Sequence, residues 1–128
     1  MTTPLVRSVY KVDVSDIFQY RKEKHCVCVS VGWKRYLVIN TKHYDMYDDF
    51  EIDASDYPFL KGRNRFVACR KLVERDSSKI KEEVGILSIA DTVTAMKMIE
   101  KSDVISMVEK ATVLAELSKA LVEARLAD

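Results

Sequence analysis

The first two thirds of the chain alternate apolar and polar positions with the period of two that is typical of β-strands. Residues 5–14 alternate imperfectly and predict a half-buried strand. Residues 25–31 alternate clearly, with two cysteines and Ser30 on one face and the valines on the other. Residues 35–41 are apolar and partly β-branched in their middle, which predicts a central strand antiparallel to the one before it.

The β-rich part continues with shorter segments. Residues 50–54 predict a short strand and residues 65–74 a longer one. Three polar or charged stretches separate the strands: we expect loops at 15–24 and 42–49, and a connection at 55–64, where Pro and Gly occur. The charged residues 75–83 suit a turn or a short helix.

The last third changes to helical spacing. Ser88 with Asp91 three residues later resembles a capping box, so a helix is expected to run from there to about Glu100. Ser102-Asp103 can cap a second helix, from Val104 to about Leu126. Its apolar stripe, which predicts packing onto the β-rich body, onto a second copy or onto another partner, consists of Val104, Met107, Ala111, Leu114 and Leu121.

These elements predict an α+β, mainly β protein. A β-rich body would occupy residues 1–87, with a C-terminal helical segment at 88–128, the two forming a single domain with a helical extension. An apolar content of 48% is enough for a hydrophobic core.

Composition excludes some classes of binding partner and favours one cellular compartment. The formal net charge of +1 argues against bulk DNA or an anionic membrane as partner. No signal peptide or apolar run of membrane-spanning length is visible, so we expect no membrane association. Three cysteines are an odd number, which favours a reducing, cytoplasmic location over a disulfide scaffold.

Several segments together are similar to one family. Residues 25–31, 36–41 and 65–73, followed by Val84-Gly85-Ile86-Leu87-Ser88, resemble the strands and the start of the last helix of the PemK/MazF bacterial toxins. Residues 50–60 look like a divergent branch of that family found in bacterial and phage genomes. The resemblance extends over roughly residues 6–100.

The resemblance implies a small SH3-like antiparallel barrel closed by a helix. It also implies that the protein cuts single-stranded RNA without a metal or other cofactor. It also implies a homodimer and an antitoxin partner. The sequence departs from the family in three places. Val9–Asp13 stands where a Gly-Asp pair opens the family's chain, Lys24-His25 replaces an Arg-Pro, and the last helix is longer than a toxin needs.

Metal-free RNA cleavage needs a base for the 2′-hydroxyl, positive charge for the phosphorane and an acid for the leaving oxygen. Arg21 is the candidate phosphate clamp, and Thr41, which matches the family's strand-end hydroxyl residue, is the candidate phosphate ligand. His25 or His43 is the candidate proton carrier. The competing interpretation is a solvated basic loop followed by an ordinary β-forming threonine.

A second set of residues has the composition of a single-strand binding surface, in which cations hold the backbone and an aromatic ring stacks a base. The set comprises Lys24, Lys34, Arg35, Lys42 and Trp33. Tyr36, Tyr44, Tyr47 and Tyr57 are further stacking candidates. Aromatic side chains of a small β-body also serve as core or rim packing.

No metal site is expected. Cys26 and Cys28 merely share a strand face, because a zinc knuckle needs two intervening residues to wrap the metal. The acidic stretch at 45–56 lacks the glycine and the ligand spacing of a calcium loop, and a solvated loop accounts for it.

Two main hypotheses follow. The first is a PemK/MazF-like growth-inhibiting protein acting as a metal-independent endoribonuclease on single-stranded RNA. The alternative is a non-catalytic phage or plasmid accessory module on the same barrel, which grips a host protein or dimerises through its last helix. A third hypothesis is a small assembly protein that oligomerises through that helix.

Overall fold

A computed structural model describes residues 3–19 and 21–127. Within these residues the chain forms seven strands and two α-helices. The strands are β1 (Ser8–Asp13), β2 (Glu23–Ser30), β3 (Arg35–Asn40), β4 (Asp49–Ile52), β5 (Arg65–Ala68), β6 (Val73–Glu74) and β7 (Ile80–Ile86). The helices are α1 (Ile89–Lys101) and α2 (Met107–Ala127), and short 3₁₀ turns lie in the connections.

All the strand pairs are antiparallel, in the order β4-β5-β3-β2-β1-β7, with β6 also pairing with β3. The sheet and its two helices confirm an α+β architecture. In the described part of the chain, β4 and β7 are the two ends of the hydrogen-bonded order and do not pair with each other. The sheet is therefore open.

The alternation of β2 is confirmed, because its two faces belong to two different cores. Val27 and Val29 pack in the larger core with both helices, whereas Cys26 and Cys28 pack in a smaller core on the opposite face. Tyr36 belongs to the smaller core. The period of two thus sends neighbouring side chains to opposite sides of one sheet.

The start of α1 is also confirmed. Asp91 donates its backbone N–H to the Ser88 hydroxyl over 3.1 Å, which satisfies one of the free donors of the first turn. The predicted start of α2 is wrong, since this helix begins at Met107. Ser106 provides the cap there, because its hydroxyl accepts the Glu109 N–H at 3.2 Å. Ser102 instead closes a turn before the helix.

The predicted apolar stripe of α2 is mostly wrong. Its buried residues are Val113, Leu117 and Leu121, while Val104 and Met107 of the predicted stripe are exposed. Helix α2 carries apolar residues on both faces, so periodicity alone had no basis for choosing the buried one. The face away from the core, called here the outer face of α2, comprises Val108, Ala111, Ala115, Val122 and Leu126.

Two expectations about the closing strands are corrected as well. The predicted strand at 65–74 is split, because Cys69 and Arg70 donate their N–H groups to Tyr47 O and so leave the ladder. The charged stretch at 75–83 is neither a turn nor a helix throughout, since its second half belongs to β7. An edge strand tolerates these charges because its side chains reach solvent.

No helix in residues 3–19 and 21–127 is long and apolar enough to cross a membrane.

Candidate functional site

A cleft of about 290 Å³ opens at one end of the sheet, where β1 and β3 end and β2 and β5 begin. Because neighbouring strands are antiparallel, these four strand ends lie side by side at the same end of the sheet. We call it the basic cleft, and its lining residues are Lys11, Arg21, Glu23, Lys24, His25, Ile39, Thr41 and Arg65.

Strand alternation explains why polar side chains gather there. Lys11, His25 and Arg65 each lie two residues from a core valine on the same strand. Their side chains are therefore on the same face of the sheet as those valines. Lys11 also lies directly opposite His25 in the β1–β2 register. The sheet face that packs under the helices therefore continues, beyond their cover, as the wall of the cleft.

The loop between β1 and β2 brings Arg21 to the cleft. Its ends are joined by the bond from Val14 N–H to Lys22 O, 2.9 Å long. Arg75, only 8% exposed, donates two hydrogen bonds to the Asp16 carboxylate, at 2.7 and 2.9 Å. This bidentate pair anchors the β1–β2 loop beside the end of β6, next to the smaller core.

Lys24 is a partly buried cation of the cleft. Its ammonium donates to the Asn40 side-chain oxygen and lies 5.0 Å from the centre of the Phe18 ring. Burial, and then the positive charge of Arg21, lower the pKa of Lys24. A cation of this kind releases a proton more readily than a solvated lysine does.

His25 is half-buried, with its ring edge-on to Phe59 at 5.1 Å. Burial is the largest cause that lowers the pKa of His25, and the charges of Lys11 and Arg65 lower it further. The imidazole is therefore held in its neutral form near pH 7, the form that accepts a proton.

The cleft has an excess of positive charge. Its one carboxylate, Glu23, is paired with Lys81 at 2.6 Å, and Lys11 is paired with Glu82 at 2.7 Å. In residues 3–19 and 21–127, no carboxylate lies within ion-pairing distance of the other cleft cations, which are Arg21, Lys24 and Arg65. An anionic ligand is the natural complement of this arrangement.

His43 lies outside the lining of the basic cleft. Its Nε2 is 2.7 Å from a carboxylate oxygen of Asp45, its Nδ1 bonds to Asp49, and its ring lies against Phe66 at 5.8 Å. The carboxylates of Asp49 and Asp45, which accept hydrogen bonds from the ring, raise the pKa of His43. Both ring nitrogens are occupied, so this histidine has no free nitrogen to offer a ligand.

The predicted nucleic-acid set is divided between two places. Lys24 lines the cleft, whereas Trp33, Lys34 and Arg35 line a different cavity of about 400 Å³. Arg35 and Thr41 stand at opposite ends of β3, about 20 Å apart at the usual rise per residue. Lys34 is paired there with an aspartate, and Arg35 with two glutamates. Lys42 is exposed next to Thr41 but is not among the lining residues.

The tyrosine candidates divide too. Tyr36 and Tyr57 are buried, while Tyr44 and Tyr47 are exposed with ring centres 5.1 Å apart. The three cysteines are free and buried, and burial raises the pKa of each thiol to about 12. In the part of the chain that the structure describes, no group of three or more His, Cys, Asp or Glu side chains could hold a metal ion.

The geometry thus brings together Arg21, Lys24, His25 and Thr41 of the predicted residues and leaves out His43. Sequence reasoning did not select Lys11 or Arg65. Their place in the strand alternation could have identified them. A charged residue at a core-facing position near the end of a strand indicates the rim of a core.

The arrangement supplies a proton acceptor beside three cations and a hydroxyl, which suits a phosphate group. In comparisons with known proteins, the chain matches no family model and no curated protein.

Proposed function

We propose that the protein binds single-stranded RNA through the basic cleft and cleaves it without a metal, as a PemK/MazF-like growth-inhibiting protein. The open sheet would be a variant of an SH3-like barrel. The observation that carries the proposal is that Arg21, Lys24, His25 and Thr41 line one cleft with an excess of positive charge.

The chemistry would follow from the protonation states. Neutral His25 accepts the proton of a ribose 2′-hydroxyl, and the resulting oxygen attacks the neighbouring phosphorus. Arg21 and Arg65 stabilise the charge of the phosphorane, and the Thr41 hydroxyl donates to a phosphate oxygen. Lys24 donates a proton to the departing 5′-oxygen. The products are a 2′,3′-cyclic phosphate and a 5′-hydroxyl, and solvent exchange restores both protein groups.

The test is cleavage of an end-labelled single-stranded RNA in excess chelator. We expect cleavage by the native protein, with cyclic-phosphate ends, and a loss of at least about 100-fold on His25→Ala, as is usual for a general base. Arg21→Ala and Thr41→Ala should also lower the rate. Arg63→Ala is the matched control, because Arg63 is an exposed cation just outside the cleft.

The outcomes separate the steps of the proposal. Binding without cleavage would reject the catalytic role and keep the RNA interface. A protein that neither binds nor cleaves at micromolar concentration would reject the whole proposal. A His43→Ala variant that loses activity, with His25→Ala active, would transfer the proton role to the other histidine.

The outer face of α2 favours a second candidate function, that of a protein-binding module. Val108 is 61%, Val122 is 56% and Leu126 is 81% exposed, on a helix whose opposite face is in the core. A row of exposed apolar side chains on one helix face is typical of an interaction surface. A second copy or a host protein are the candidate partners for this face.

Surface variants test this candidate better than truncation. Removing α2 would also remove core residues such as Leu117, so the shortened chain would be expected to unfold. Val108→Lys with Val122→Lys keeps the core face and changes only the outer face. Loss of self-association in sedimentation, or of capture of a host protein, would support the module; unchanged behaviour of a monomer would argue against it.

A further inference from the structure

His25 stands close to the place that an anion bound in the basic cleft would occupy. It lies in the wall of the basic cleft, directly opposite Lys11 on the neighbouring strand, and is half-buried beside Phe59. Electrostatic interactions are less screened at such a partly enclosed position than at an open surface.

Cations outnumber anions around this imidazole. Of the charges on β7, Glu82 is paired with Lys11 and Lys81 with Glu23, both of which line the cleft. The charges that act on it are those of Lys11 from β1, Arg65 from β5, Glu23 from β2 and Lys61, which follows the 3₁₀ turn Pro58–Leu60; Arg21 and Lys24 also line the cleft.

This surrounding disfavours the imidazolium when the cleft is empty, in agreement with the lowered pKa of His25. A phosphate group held by Arg21, Lys24 and Arg65 would bring negative charge into the same small space. An opposite charge within about 4–6 Å typically moves a pKa by about 1–3 units toward the charged form.

We propose that the basic cleft takes up a proton at His25 when a phosphodiester anion binds. This inference rests on the proposed function, because it assumes that the anion occupies the cleft. By linkage, binding strengthens as the pH falls from the bound-state pKa toward the free-state pKa, by up to about tenfold per pH unit. Cleavage by the proposed route then proceeds through the fraction of the complex in which His25 is still neutral, so the cleavage rate should fall as the pH drops through the bound-state pKa.

A non-cleavable probe tests the inference directly. We choose a 2′-O-methyl oligonucleotide, whose phosphodiesters stay singly charged throughout the range of interest and whose blocked 2′-oxygen cannot attack. Proton NMR follows the ring protons of the two histidines with pH, with and without the probe. Calorimetry in two buffers of different ionisation enthalpy counts the protons taken up.

We expect the pKa of His25 to rise by one unit or more on binding, while the pKa of His43 stays unchanged. His25→Gln should assign the resonance and abolish both the proton uptake and the pH dependence of affinity. His43→Gln is the matched control and should leave the uptake intact. In the free protein, Arg65→Gln should raise the pKa of His25, because it removes a neighbouring cation.

The outcomes distinguish this inference from the function it rests on. A probe that binds with an affinity sensitive to Arg21→Ala, but with no proton uptake and an unchanged His25 pKa, would overturn the inference alone. A probe that does not bind at all would overturn the RNA-binding function and the inference with it.

Discussion

The salt dependence of RNA binding can be worked out from the charges of the cleft. Three of its cations, Arg21, Lys24 and Arg65, have no carboxylate partner in the described residues, whereas Lys11 is paired. Each phosphate neutralised on a single strand contributes about −0.7 to the slope of log affinity against log salt. A bound strand whose scissile phosphate and two neighbouring phosphates are neutralised by these three cations predicts a slope of about −2.

A slope of about −2 corresponds to an affinity roughly 16-fold lower at 200 mM than at 50 mM salt. Replacing Arg65 by Gln removes one contact, so the slope should become less steep by about 0.7. Fluorescence anisotropy of a labelled 2′-O-methyl oligonucleotide, titrated at four salt concentrations, measures both slopes.

Lys34→Gln is the control for this measurement, because Lys34 is a cation at the far end of the β2–β3 hairpin and is paired with Asp76 at 3.1 Å. Its slope should equal that of the native protein. If Lys34→Gln reduces the slope and Arg65→Gln does not, RNA lies on the other end of the sheet, and the assignment of the cleft is refuted.

Three further predictions concern the framework. Tyr57→Phe should lower stability by about 1–3 kcal/mol in urea unfolding, because the Ser88 N–H loses its acceptor, the Tyr57 hydroxyl 3.0 Å away. Leu117→Ala should cost about 2–5 kcal/mol, because Leu117 is 1% exposed in the larger core. Arg75 lowers the pKa of Asp16 to about 2, below its ordinary value, so this pair stabilises the fold above about pH 4. The stability gap between the native protein and Asp16→Asn should close as the pH falls from about 4 to 2.

Each of these variants has a matched control in the same chain. Tyr44→Phe removes an exposed hydroxyl and Val122→Ala trims an exposed side chain, so both should stay within about 0.5 kcal/mol of the native protein. Asp56→Asn changes an exposed carboxylate and should stay within about 0.5 kcal/mol of the native protein. Equal effects of a variant and its control would contradict the assigned contact.

The basic cleft could be predicted only in part. Arg21, Lys24, His25 and Thr41 were selected from residue type and from the family resemblance, and they do line one cleft. Arg65 was missed because its strand partner is far away in the chain, and only the β3–β5 pairing brings it beside the end of β3.

His43 shows the opposite difficulty. It is two residues from Thr41 in the sequence and looked equally suited to proton transfer. The acidic loop around it bends so that Asp45 and Asp49 occupy both ring nitrogens. Residue type and spacing describe what a side chain can do, but its partners depend on the path of the loop.

Several features of this protein depend on local interactions and could be predicted from the sequence alone. The alternation of β2, the Ser88 cap of α1 and the absence of a membrane-length apolar run each depend on residues close together in the chain. Long-range pairing decided the rest: which face of α2 is buried, that 80–86 is an edge strand, and which charges meet in the cleft. A helix with two apolar faces or a charged strand satisfies several local patterns equally well, and only contacts across the fold select among them.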